Sequence, residues 1–304
     1  MDSMSWILLA LCAPVFDTIV NFIDKYLVGE KVKDYRAMPI FMGIVGTCAG
    51  SILFGLRGSP FFALTDMILI LTAGILTYFS IYFYFKTLDF EETSVVVLLF
   101  QASPIITLIL STLFLHETIS FQQFLGFILV LSASTAVSID TTSKGTFKLN
   151  TSFYYIMASN ILWSCGAILF KYTAPSNDFI STLGLEGIGI GIGALIAYLC
   201  NANLRKAFHK TIPNVSLPVL GLLTLNEILS LTGKWLVFWA VLLGPVALVD
   251  VVVSVQVFYA IAAGWVLTYF FPQIFKEDLS KNTLLLKIAS AITLMIGVLL
   301  IAHI

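Results

Sequence analysis

Asp17, Asn21 and Asp24 follow Pro14 at intervals of three, four and three residues, in a stretch otherwise filled mostly by Phe, Ile, Val and Leu. On a helix that spacing is one face. One Asp, Lys or Arg at the centre of a bilayer costs about 2.5–3.5 kcal/mol on insertion scales, so a face holding several such groups turns toward protein or water. Pro14 bends the helix and frees a backbone carbonyl beside that face. Two readings of Asp17 stand: an acid lining a cavity, or part of a polar seam that joins helices. Asp24 and Lys25, near the end of the stretch, are expected to reach the interface.

A second polar stripe lies in "LNEILSLTGKW", where Asn226, Glu227, Ser230 and Lys234 share a face. Glu227 and Lys234 are two turns apart, about 10 Å in rise. A small zwitterion fits between them, its ammonium toward Glu227 and its carboxylate toward Lys234. The other reading is an ion pair that only holds the fold. Gln101 and Ser103 beside Pro104, Glu186, Asp250 and Gln256 add polar groups to further apolar stretches. Burial in a low dielectric favours the neutral form of a carboxyl group. Asp17, Glu227 and Asp250 are therefore candidate proton or cation sites, and Lys234 the candidate anion contact. Asp250 has a second reading, as an acid favoured near a helix N-terminus after Gly244-Pro245.

Other chemistries lack a constellation. His116, His209 and His303 are isolated and no H-E-x-x-H occurs, so no metal is expected. Cys12, Cys48, Cys165 and Cys200 lie in apolar stretches without C-x-x-C spacing and read as small hydrophobes. No G-x-x-x-x-G-K-[ST] or G-x-G-x-x-G is present, so no nucleotide cofactor is expected. No nucleophile is paired with a base, which argues against an enzyme. The net charge of −1 gives no basic balance for nucleic acid.

The elements that carry these residues follow from hydropathy. Of 304 residues 59% are apolar and 11% charged, with a mean hydropathy of +0.99. A soluble domain has about 25% charged residues. The chain is expected to be an all-α integral membrane protein whose direct partner is the lipid bilayer. A span needs about 20 apolar residues to cross roughly 30 Å of hydrocarbon. Ten stretches qualify: 6–28, 38–56, 67–88, 93–115, 121–139, 152–174, 179–200, 217–243, 246–271 and 284–303. The first has no basic leader and carries Asp17 in its apolar part, so it is read as a retained span. The longest connection, 201–216, is read as a loop.

The ten stretches repeat. "HETIS" at 116–120 precedes the fifth and "KEDLS" at 276–280 the tenth; Gln101 matches Gln256, and "DKYLV" at 24–28 matches "FKYTA" at 170–174. The offset grows from 146 residues (Lys25 to Lys171) through 155 (Gln101 to Gln256) to 160 (Glu117 to Glu277). Each half then holds five spans. Five is odd, so the second half enters the membrane from the opposite side, the inverted-repeat plan of many secondary transporters. The Lys-Tyr closing the first helix and "ETSVVVLLFQASPIITLILSTLFLHETIS" at 92–120 resemble the EamA-type repeat of the drug/metabolite transporter superfamily. In the second half Tyr259 stands in place of Pro104. The resemblance implies a ten-helix carrier of small metabolites working by alternating access, its two repeats at 1–145 and 146–304 forming one membrane domain.

Within that plan the fourth and ninth spans face each other across a pseudo-two-fold axis. The 146-residue offset pairs Asp17 with Trp163, giving an acidic wall and an aromatic wall suited to a cation or an aromatic compound; plain packing is the other reading of Trp163. Gly187 with Gly191, and Gly189 with Gly193, are four apart and form small-residue faces for close helix packing. Ser120 and Gln123 spell a capping box, and Ser280 is placed to cap the tenth span; Glu117 and Glu277 are assigned to loop geometry. Basic residues crowd the side away from the termini, which places both termini outside, whereas the resembled family keeps them in the cytoplasm.

The expected function is secondary, non-ATP transport of a small metabolite across the cell membrane. An amino acid or related amphipathic compound is the expected substrate class, with a proton or cation as coupling partner. The alternative is a non-transporting membrane scaffold or receptor subunit with structural polar seams. The sequence assigns no oligomeric state.

Overall fold

The computed structural model describes residues 4–27, 31, 32, 34, 36–58, 60–88, 99, 100, 102–141, 151–270 and 281–302. All regular elements among them are helical. In chain order they are α1 (Met4–Tyr26), α2 (Ala37–Leu56), α3 (Leu64–Leu88), α4 (Ser103–Leu110), α5 (Phe121–Thr141), α6 (Thr151–Thr173), α7 (Phe179–Cys200), α8 (Ala202–Thr211), α9 (Leu217–Leu243), α10 (Val246–Val253), α11 (Gln256–Phe270) and α12 (Lys281–Ala302). Six, namely α1, α2, α3, α6, α7 and α9, are long and apolar enough to cross a membrane. Shorter apolar helical stretches run over Ser103–Leu115, Phe121–Ala136, Val246–Ala260 and Ile288–Ile301. Large apolar side chains such as Leu8, Ile52, Ile68, Leu199 and Ile228 stand exposed on the outside, a surface suited to lipid.

Local chemistry sets the helix ends. Pro104 and Pro218 occupy the first turns of α4 and α9, where a missing N–H is harmless. α4 runs on through a π-helical turn, Ser111–Leu115, and stops at His116, whose φ of 53° is left-handed. Ser120 and Gln123 then form a reciprocal capping box: the Ser120 N–H donates to Gln123 Oε1 (2.9 Å) and the Gln123 N–H to Ser120 Oγ (3.2 Å). Asp178 caps α7 by accepting from the Ser181 N–H at 2.9 Å. The Ser181 N–H, the Ser181 hydroxyl (2.8 Å) and Arg57 hold the Asp178 carboxyl below the usual carboxylate range.

Two stretches differ from the expected spans. The segment 246–271 is interrupted at Ser254-Val255, between α10 and α11. Ser254 Oγ donates to the Val251 carbonyl (2.6 Å), and Val255 N–H and Phe258 N–H reach back three residues instead of four. A serine bonded to its own helix in this way bends it. The connection 201–216 is not a plain loop, because it holds α8. Leu204, Ala207 and Thr211 recur at helical spacing and are buried, while Arg205 and Lys206 face outward. Its charge content disguised the periodicity.

The main pairings are α1 with α9, α2 with α7, α3 with α6 and α7, and α5 with α12. The largest apolar cluster joins Trp6, Ala10 and Ala13 of α1 to Phe170 of α6, Phe238 and Val241 of α9, and Leu248 and Val252 of α10. Glycines let α7 approach two neighbours. A Cβ on Gly50 of α2 would lie 2.9 Å from Gly187 Cα, and one on Gly187 would meet the Gly46 carbonyl oxygen at 2.9 Å. A Cβ on Gly191 would collide with Thr47 of α2. Gly189 packs on Leu71 and Gly74 of α3, and Gly193 lies against Tyr78. One small-residue face thus serves α2 and the other α3.

Candidate functional site

Between these helices lies a cavity of about 290 Å³. α1 contributes Asp17, Asn21 and Asp24; α3 Ser80 and Tyr84; α4 Ser103 and Pro104; α6 Ser159 and Trp163; α9 Ser230 and Lys234; α10 Asp250; α11 Gln256. The volume lies at the lower end of the range for small-molecule sites.

Asp250 is held from the opposite half of the chain. Its Oδ2 accepts from Ser103 Oγ (2.8 Å) and Thr107 Oγ1 (2.6 Å), and Thr107 also bonds Ser164 of α6 at 2.8 Å. Asp250 is the fifth residue of its helix and bonds across to α4, so the helix N-terminus does not explain it. Lys234 Nζ donates to Glu186 Oε2 of α7 at 2.6 Å and lies 5.7 Å from the centre of the Phe238 ring. The lysine is therefore neutralised by a neighbouring helix rather than by Glu227. Asp17 has no hydrogen bond or ion pair among the described residues and stands half-buried in the cavity wall. Gly233 leaves it room: a Cβ there would lie 2.9 Å from Asp17 Oδ1.

Asp24 corrects an expectation. It is buried, lines the cavity and accepts from Asn226 Nδ2 at 2.8 Å, so it does not reach the interface. The seven-residue step from Asp17 was the signal, since two turns keep a residue on one face. The Lys25 side chain lies outside the described residues.

Of the residues singled out from sequence, Asp17, Asn21, Trp163, Lys234, Asp250 and Gln256 meet at the cavity. Asn226 and Glu227 are buried behind the wall and do not line it. Glu227 and Lys234 are therefore not presented together to this cavity. Gln101 lies outside the described residues, as do Glu277 and Ser280. The glycines of α7 sit in helix contacts away from the cavity. Sequence reasoning missed the roles of Tyr84, Ser80, Ser159, Thr107 and Glu186. Hydroxyls in a span carry little signal, because they bond equally well to their own helix, as Thr77 does to the Ala73 carbonyl.

The repeated motifs meet at one end of the bundle. The Val246 N–H, first in α10, donates to Glu117 Oε2 at 2.9 Å. Lys171 Nζ donates to the carbonyls of Val241, Leu242 and Gly244 at the end of α9, and lies 3.9 Å from Glu117 Oε1. One residue satisfies a helix start and the other a helix stop, so together they clamp the Gly244-Pro245 break. Glu117 has more than a loop-shaping task.

A helical bundle with a lipid-facing exterior and a polar chamber inside is a multi-pass integral membrane protein. Residues 4–139 match the EamA-like transporter family, in keeping with the resemblance seen in the sequence. No curated protein matches the chain. In fold, 28 chains of solved structures match. One, titled "Crystal structure of protein", superposes with a TM-score of 0.68 at 13% identity and covers 97% of this chain and 99% of its own.

Proposed function

We propose that the chain is a secondary carrier of a small amphipathic amine or amino acid in the cell membrane. It works by alternating access between two inverted five-helix repeats, 1–145 and 146–304. The observation that carries this reading is Asp17, an acid without a partner among the described residues, in the wall of a cavity that also presents Asp24, Asp250, Trp163 and Tyr84. Lys234 is already bonded to Glu186, so the wall favours the cationic end of a ligand, with an aromatic face beside it. Helix pairing supports the two-repeat plan. If the first helix of each half is equivalent, α1 corresponds to α6 and α3 to α9, so the α3–α6 contact maps onto α9–α1, and α2–α7 and α5–α12 map onto themselves; of the main pairings only α3–α7 lacks a counterpart of similar extent, in α9–α2.

The test is uptake from a metabolite mixture by liposomes holding the purified protein. A small amine or amino acid entering above empty liposomes, and lost with Asp17→Asn, is expected. No species entering above that background overturns the carrier and favours a scaffold.

A further inference from the structure

Behind the cavity wall, α1 and α9 enclose a second polar cluster. Asp24, Asn226 and Glu227 are 4%, 0% and 3% exposed. Asn226 Nδ2 donates to Asp24 Oδ1 at 2.8 Å, and Glu227 is the next residue of α9. Asn226 Oδ1 and Glu227 Oε1 are fully buried and have no hydrogen-bond partner among the described residues. Neither acid forms an ion pair among the described residues.

The charged and titratable neighbours do not fill this gap. On α3, Tyr84 lines the cavity together with Asp24 and Asp17. On α7, Glu186 is bonded to Lys234 of α9. Ionised carboxylates accept hydrogen bonds and donate none, so this cluster holds more acceptors than its one amide group can serve. Two like charges without a cation are also strongly disfavoured in a bilayer. Among the described residues, what the cluster lacks is a donor hydrogen. A protonated Glu227 supplies it, while the Asn226 amide donates to Asp24.

We propose that Glu227 is a proton-carrying site, set behind the cavity and linked to it by Asp24, the member of the cluster that lines both. Its carboxylate takes a proton from water to become a carboxyl group. That proton returns to water when an amine docks at the Asp24–Asp17 wall, because the cation stabilises the ionised pair. Ligand and proton thus exclude each other from separate positions. This coupling rests on the carrier reading; the proton site itself does not.

The experiment uses the purified full-length protein. Infrared difference spectra taken across a pH step, without ligand, are expected to show a buried protonated-carboxyl band that titrates. Glu227→Gln should abolish that band and Asp24→Asn should move its midpoint, the second variant serving if the first does not fold. A band that persists unchanged in Glu227→Gln overturns the site, as does stabilisation by sodium at constant pH in place of proton uptake. In weak buffer, phenethylamine is expected to release protons from the wild-type protein and to release fewer from Glu227→Gln. Amine binding without proton release overturns the coupling. Absence of any amine binding counts against the carrier reading, and the infrared result still decides the proton site.

Discussion

Ser103 of α4 donates its hydroxyl hydrogen to Asp250 of α10 across 2.8 Å, joining two helices whose residues stand 147 positions apart. Thr107 makes a second bond to the same oxygen. Interhelical hydrogen bonds within membranes contribute about 0.6 kcal/mol on average and up to about 1.7. Ser103→Ala and Thr107→Val are each expected to lower stability within that range in detergent unfolding. Asp250→Asn keeps an acceptor and should be tolerated better than Asp250→Leu, which strands two buried hydroxyls.

The α2–α7 contact offers a sharp contrast between neighbours. A methyl group on Gly50 would fall 2.5 Å from the Gly184 carbonyl oxygen, a backbone atom that cannot swing away. On Gly46 the nearest atom is a side-chain carbon of Ile190 at 3.4 Å. Overpacking costs about 1–3 kcal/mol. Gly50→Ala should therefore lower the melting temperature clearly, and Gly46→Ala should leave it close to wild type. Equal melting of the two variants would contradict the packing described.

Glu117 gives the fold a pH dependence with a defined sign. Burial pushes its carboxyl above the usual range, and the Val246 N–H and Lys171 offset part of that rise. A group with a raised folded-state value binds more protons in the native state, so its contribution is present at low pH and is lost as pH rises through that value. Glu117→Gln stays neutral throughout. In melts from mildly acidic to neutral pH, the wild type should lose stability relative to Glu117→Gln as pH increases.

Much of this arrangement was legible in the sequence because lipid makes polar residues conspicuous. The spacing put Asp17, Asn21 and Asp24 on one helix face, and all three line the cavity. The capping box at Ser120 was legible because both partners lie within one turn. Partners across helices were not. Nothing local tells Lys234 to choose Glu186, 48 positions away, over Glu227 two turns back on its own helix. Nor does local sequence reveal that Lys171 caps α9, since the carbonyls it serves carry no residue identity. Asp24 was misplaced because closeness to a span end suggested water, whereas the neighbouring Asn226 keeps it inside.

Accessibility of the cavity from each face of the membrane tests the account most directly. Ser230 lines the cavity on α9 and is nearly isosteric with cysteine. In a chain whose four native cysteines are replaced by alanine, Ser230→Cys would be treated with a membrane-impermeant thiol reagent, applied separately to either side of sealed vesicles. Alternating access predicts labelling from both faces, with a bound amine slowing it. Labelling from one face alone, whatever ligand or pH is imposed, would contradict the carrier.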